Sequence, residues 1–149
     1  IDEDEKEDIK NLLENGNLKD AEKKLKEAIE KHPMASRITL IQGSSVDAKT
    51  IDQVKQLSTG KSKILVFLDS NHTHEHVLAE LNAYGPLVSL DSYVVVFDTF
   101  IEDLPEDYEW TDRPWGKGNN PRTATWEWLE KNKNFSIQID KKYSRFSRV

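Results

Sequence analysis

The apolar positions of this chain fall into two distinct patterns. Up to about residue 33 they recur at helical spacing: Ile9, Leu12 and Leu13, then Leu18, Ala21, Leu25, Ala28 and Ile29, in a background of Glu and Lys. Asn15-Gly16-Asn17 breaks the period and supplies a turn, so a helical hairpin is expected over residues 1–31. From Arg37 the pattern changes to short apolar runs separated by helical stretches. Ile38-Thr39-Leu40-Ile41-Gln42 reads as a strand, and about Asp47 to Leu57 as a helix capped by Ser45 or Asp47. Strand 64–69 follows, then a helix from Thr73 to Tyr84 stopped by Gly85-Pro86, then strand 93–98. A long loop runs to Pro121, then a helix over 122–131, a strand over Phe135–Ile139 and a short basic end.

Two of the runs end alike: Ile64-Leu65-Val66-Phe67-Leu68-Asp69 and Tyr93-Val94-Val95-Val96-Phe97-Asp98. Continuous apolar runs separated by a helix predict neighbouring parallel strands buried on both faces. Both aspartates then emerge at the carboxyl edge of one sheet, where open α/β folds place their ligands. Two aspartates at adjacent strand ends suit a cation such as Mg²⁺, and strand-end Asp is equally common as turn chemistry. The residues alone leave both readings open. A His-rich turn follows the first aspartate, with His72, His74 and His76. His72 precedes the helix and is a candidate general base, because imidazole titrates nearest neutral pH. His74 and His76 are expected to be solvent-facing residues of the first helical turn. The H-x-H-E-H string is one residue short of the H-x-H-x-D-H of metallo-β-lactamase-type hydrolases, and with no cysteine a closed tetrahedral zinc site is disfavoured.

The loop Asp112-Arg113-Pro114-Trp115-Gly116-Lys117-Gly118-Asn119-Asn120-Pro121 is dense in polar groups. Arg113, Trp115, Asn119 and Asn120 could hold a polar, ring-shaped small-molecule substrate, or the loop could simply pack on itself. Of Trp126 and Trp128, two apart on a helix, one is expected in the core and the other over the loop. Gly60-Lys61-Ser62 lacks the first glycine of a P-loop and precedes a strand, so it is read as an ordinary turn.

Composition narrows the field. With 149 residues, 36% hydrophobic and 32% charged, the chain suits one ordinary domain with a modest core. The absence of cysteine excludes disulfides and a thiol nucleophile, and fits a cytoplasmic protein. A net charge of −6 argues against nucleic-acid binding, and no apolar stretch is long enough for a membrane span. Residues 1–8 carry six acids and one lysine and residues 141–149 four bases and no acid, read as two solvated ends.

Several strings recur in the order seen in one family. They are His32-Pro33-Met34-Ala35-Ser36-Arg37-Ile38-Thr39-Leu40-Ile41-Gln42-Gly43-Ser44-Ser45, Leu68-Asp69-Ser70-Asn71-His72-Thr73-His74-Glu75-His76-Val77, Phe97-Asp98-Thr99 and the 112–121 loop. On these, residues 32 to about 140 resemble the cephalosporin hydroxylase family, Rossmann-type methyltransferases that use S-adenosylmethionine on hydroxyls of sugars and secondary metabolites. The resemblance implies Mg²⁺ at Asp69 and Asp98, and the cofactor's adenosine beside Gly43, Ser44 and Ser45. One usual carboxylate of the second strand end is here Phe97, and Glu102 or Asp103 is the nearest substitute. Neither a Gly-rich first strand nor a ribose-binding acid precedes Ile38. The hairpin, similar to one tetratricopeptide-type helix pair, occupies that place, so the likeness is to the C-terminal part of the fold.

The expected fold class is therefore α/β, a small, mainly parallel Rossmann-like sheet of three or four strands with flanking helices, over residues 32–149. Strand 38–42 would pair directly with strand 64–68. A lone helix pair cannot bury its own face, so the stripe of Leu12, Leu13, Leu18, Leu25 and Ile29 should be covered by the rest of the chain or in a homo-oligomer. The expected function is Mg²⁺-dependent O-methyl transfer, incomplete in this chain by itself. The alternative is a non-catalytic interaction domain that uses the hairpin for self-association or partner binding.

Overall fold

The computed structural model describes residues 3–105, 108, 112–139 and 144–148. Two compact units divide the chain, residues 1–41 and residues 42–149, with the division ten residues beyond the expected hairpin end.

In the first unit, helices α1 (Glu3–Glu14) and α2 (Leu18–Lys31) pair as the apolar spacing predicts. Gly16, at φ 72°, makes the reversal, a conformation open to glycine at no steric cost. The stripe is only partly covered. Ala21 and Ala28 are buried and Ile9, Leu12 and Ile29 half-buried, whereas Leu13, Leu18 and Leu25 are exposed. Two helices enclose a narrow seam lined by small alanines, and leucines project past it. Lys24–Asp8 (2.5 Å) and Lys31–Glu5 (3.6 Å) link the helices across this seam, and surface pairs of this kind add at most about 1 kcal/mol each.

The expected strand 38–42 does not form. Ala35–Arg37 is a 3₁₀ turn, Ile38 N–H donates back to Ala35, and Ile38 and Leu40 are exposed. An apolar run becomes a strand only where a neighbour takes its hydrogen bonds.

The second unit is built on a four-stranded sheet of order β1-β2-β4-β3. Its strands are β1 (Val66–Leu68), β2 (Tyr93–Val96), β3 (Phe135–Ile139) and β4 (Ser144–Arg148). β1 and β2 are parallel in the register Val66↔Val94, Phe67↔Val95, Leu68↔Val96. The other two pairings are antiparallel, so the sheet is mixed rather than mainly parallel. β1 pairs with β2 as expected and is an edge strand of the sheet, because the further partner expected in segment 38–42 does not form. β4 lies in the basic tail, where its alternation is too short and too polar to read as a strand from sequence.

Helix α3 (Ala48–Ser58) begins after Asp47, α4 (His74–Tyr84) joins β1 to β2, and α5 (Pro121–Lys131) follows the long loop. α4 and α5 pack on each other and on one face of the sheet. The core there is Leu68, Val77, Leu81, Tyr84, Val88, Val94, Val96, Ala124, Trp128 and Phe135. Of the two α5 tryptophans, Trp128 is the core residue, 4.7 Å from the Phe135 ring, and Trp126 is exposed beneath the Arg122 guanidinium. Among the described residues the core lies against the Val66/Leu68/Val94/Val96 face. Phe67, on the opposite face, is 60% exposed and meets Phe97 ring to ring at 6.1 Å.

Gly85 closes α4 directly under the core indole. A Cβ built on it would stand 2.5 Å from Trp128 Cζ2. Its backbone is ordinary helical, so the constraint is steric alone. Gly85→Ala should therefore cost about 1–3 kcal/mol through overpacking, measurable as a lowered urea midpoint with unchanged slope.

Candidate functional site

The β1–β2 register determines where the acids fall. Leu68 and Val96 are level, and Phe97 N–H continues the ladder to Leu68 O at 3.1 Å. Asp69 and Asp98 thus leave the sheet side by side at its carboxyl edge. Asp98 takes a left-handed conformation, φ 53°, which Asp tolerates better than most residues and which starts the 3₁₀ turn Thr99–Asp103. His72, on the turn between β1 and α4, leans over both acids. Its Nε2 is 3.0 Å from Asp98 Oδ2 and 3.5 Å from Asp69 Oδ1. One ligand atom from each of the three lies within 4.8 Å of the others. Asp69 is 57% exposed and His72 21%, so the group opens to solvent on the Asp69 side.

Trp115 forms a wall of this group. Its ring meets the His72 imidazole edge-on at 5.2 Å, and Arg113 lies over it with Cζ 5.8 Å from the ring centroid. Arg113, Trp115 and His72 therefore form one continuous layer of guanidinium, indole and imidazole beside the acids.

The remaining loop residues are committed to the fold. Asn120 is fully buried and caps α5: its Oδ1 accepts from Arg122 N and Thr123 N, and its amide donates to Gly116 O and to Glu102. Asn119 Oδ1 accepts from His74 N at 2.9 Å, and its amide donates to Pro114 O at 2.8 Å. Both asparagines, expected as substrate contacts, make these bonds within the second unit and hold the loop in shape. Glu102 also accepts from Gly118 N, and Asp103 pairs with both terminal nitrogens of Arg122 at 2.5 Å. Neither acid joins Asp69 and Asp98, so neither replaces the carboxylate that Phe97 displaces. Phe97 is 41% exposed at the sheet edge.

His74 and His76 are not the solvent-facing residues that the sequence suggests. His74 joins α4 to α5, with Nδ1 at 2.8 Å from Thr123 Oγ1 and Nε2 at 3.1 Å from Glu127 Oε2. His76 points inward to Ser45, Ser70 and the buried Glu80. The reason is the helix period: His76, Glu80 and Tyr84 share one face of α4, and that face turns toward the 43–45 turn. Burial pushes the Tyr84 phenol above its ordinary pKa, and the charge of Glu80 adds to the shift. The H-x-x-x-E-x-x-x-Y spacing is the sequence signal that could have located this polar stripe. Gly43 is required at the turn by both conformation and space, since its φ is 142° and a Cβ would stand 2.8 Å from Thr50 Oγ1.

Open α/β folds place their ligands at the carboxyl edge of the sheet, and this one holds two acids, an imidazole and an aromatic wall there. The chain belongs to the Rhamnosyl O-methyltransferase/CmcI family, whose model matches residues 18–147. That match begins within α2, upstream of the strings that carry the likeness by eye. A rhamnosyl O-methyltransferase of Mycobacterium tuberculosis (strain ATCC 25618 / H37Rv) is 36% identical over 69 residues, which is 46% of this chain and 28% of that protein. The protein of the same description from Mycobacterium bovis (strain BCG / Pasteur 1173P2) gives the same figures. The shared region is thus less than a third of the relatives' length. No solved structure matches the chain. No helix among the described residues is long and apolar enough to cross a membrane.

The His74–Glu127 brace predicts an acid-side loss of stability. The hydrogen bond from Lys131, and then that from His74, hold Glu127 below its ordinary pKa. A carboxyl depressed in the folded state contributes its stability above its unfolded pKa, about 4.3 for glutamate, and loses it as pH falls through the folded value. Between about pH 5 and 3, Glu127→Gln should flatten the fall in melting temperature. The difference should be small and shrink in salt, because the pair is solvent-screened.

Proposed function

We propose that residues 42–149 carry the metal and acceptor side of an O-methyltransferase that uses S-adenosylmethionine on a hydroxyl of a sugar or secondary metabolite. The observation that carries this reading is the convergence of Asp69, His72 and Asp98 at one sheet edge. The donor set fits a divalent cation: two carboxylates supply hard oxygen ligands, and an exposed side leaves room for water or a substrate oxygen. Asp69 and Asp98 would hold Mg²⁺, and Gly43, Ser44 and Ser45 would lie along the cofactor. When bound, the cation lowers the pKa of a coordinated hydroxyl, and the cofactor supplies the methyl group.

The chain's own residues account for the rest. His72 Nε2 faces both carboxylates and, since these only accept, carries the ring proton toward Asp98, which leaves Nδ1 as the nitrogen able to take the hydroxyl proton. Asp98, 3.0 Å away, stabilises the imidazolium that results. Trp115 offers a flat apolar face to a sugar-like ring, and Arg113 backs that face and presents donors at its rim. Asn119, Asn120 and Glu102 act one step back, fixing the loop on which Trp115 rides.

The test is thermal stability against Mg²⁺ concentration. A ligand at one hundred times its Kd stabilises by about 2.7 kcal/mol, and Asp98→Asn, which keeps size and left-handed tolerance but removes the charge, should lose most of that gain. Equal melting shifts in wild type and variant would sink the metal reading. Calorimetric titration with S-adenosylmethionine addresses the cofactor side. The chain has no Gly-rich strand-to-helix turn, so weak binding is expected, and tight single-site binding would show that the 43–45 turn and its neighbours suffice.

A further inference from the structure

Helix α4 carries a polar stripe on its buried side. Val77 and Leu81 pack into the core, yet Glu80 between them is only 2% exposed. Ser70 Oγ donates to Glu80 Oε1 at 2.7 Å. His76 Nε2 lies 3.2 Å from Ser70 Oγ, 3.0 Å from Ser45 Oγ and 3.6 Å from Glu80 Oε1. Tyr84 hydroxyl donates to the backbone oxygen of Ser45. The second oxygen of Glu80, Oε2, is buried and has no hydrogen-bond partner among the described residues.

That arrangement is costly if its purpose is only to build a core. A buried carboxylate oxygen without a donor loses its hydration and gains nothing in return, and a leucine at this position would pack without that cost. What the acid does accomplish is connection. Ser70 follows Asp69 directly in the chain, and Ser45 ends the 43–45 turn. Two turns from different parts of the second unit are thus tied to one buried side chain, one through Ser70 itself and the other through His76. Glu80 is too deep to touch a ligand, so any influence on the site must pass through these partners.

We propose that Glu80 is a positioning residue: acting through Ser70 it fixes the turn that presents Asp69, and acting through His76 it locks that turn to the 43–45 turn. This assignment uses the metal reading above only for its first readout. Removal of groups that orient metal ligands typically weakens binding by roughly 10- to 100-fold.

The full chain is tested as wild type, Glu80→Gln, Ser70→Ala and the double variant, with Leu129→Ala in α5 as a control that loosens the core without touching the network. Mn²⁺ is the probe, its free concentration counted by electron paramagnetic resonance. Glu80→Gln and Ser70→Ala should each weaken Mn²⁺ binding by roughly tenfold, near the low end for such groups. The double variant should be little worse for Mn²⁺ than either single one, because both break the Ser70–Glu80 bond that holds the Asp69 turn. Leu129→Ala should leave the affinity within about twofold despite its lower melting temperature. The second readout needs no metal. Amide hydrogen exchange should accelerate at residues 44–46 and 69–71 in Glu80→Gln, and stay at wild-type rates over α5. Exchange at the two turns that moves no more than in Leu129→Ala overturns the proposal, as does an equal loss of Mn²⁺ affinity in the control. If the wild type takes up no Mn²⁺, the metal reading fails and the exchange result alone decides the role of Glu80. If Glu80→Gln does not fold, Ser70→Ala, at an exposed residue, carries both readouts.

Discussion

Three rungs of parallel pairing organise everything else in the second unit. Val66, Phe67 and Leu68 stand level with Val94, Val95 and Val96, and the Phe97 N–H to Leu68 O bond adds one more contact at the same end. A slip of one residue would move Val94 and Val96 out of the core and turn Asp69 and Asp98 to different sides. Burial of the Leu68 and Val96 row therefore sets the register, and the register sets the separation of the two acids. The apolar core and the polar site are consequences of one alignment.

Parallel pairing demands a crossover, and α4 provides it. Because the helix must lie along the sheet, its 3.6-residue period decides the fate of each histidine in the turn that leads to it. His72 stays outside the helix and leans on the acids, His74 faces α5, and His76 faces the 43–45 turn. Three identical side chains within five residues thus reach three environments. Residues 112–120 are held by the same economy of parts: the Asn120 cap, the Glu102 bridge and the Asn119 bond to His74 give them a defined shape.

Family membership and site geometry meet at the Asp69 turn and the loop around Trp115. The relatives are 36% identical over 69 residues of this chain, too little of their own length to carry a whole activity. The replacement of an expected carboxylate by Phe97 leaves two acids and an imidazole, with Glu102 and Asp103 drawn away to the loop and to Arg122. Phe97 instead meets Phe67 on the sheet face opposite the core.

The sequence by itself determined what depends on neighbours along the chain. Helical spacing located α1, α2, α3, α4 and α5 to within a residue or two, and the two apolar runs ending in Asp69 and Asp98 announced adjacent parallel strands. The order of the signature strings pointed to the family. Only the tertiary structure decided what depends on partners distant in sequence. Segment 38–42 is apolar but finds no ladder, while the polar segment 144–148 becomes β4 because β2 and β3 both offer it hydrogen bonds. Leu13, Leu18 and Leu25 of the hairpin stripe stay exposed because coverage depends on what packs there, not on period. Asn119 and Asn120 look like ligand-binding groups in sequence and in the structure bond the loop and the α5 cap, since an amide serves a cap, a turn or a substrate with the same atoms. Which of these it serves is fixed by the neighbours that the fold delivers.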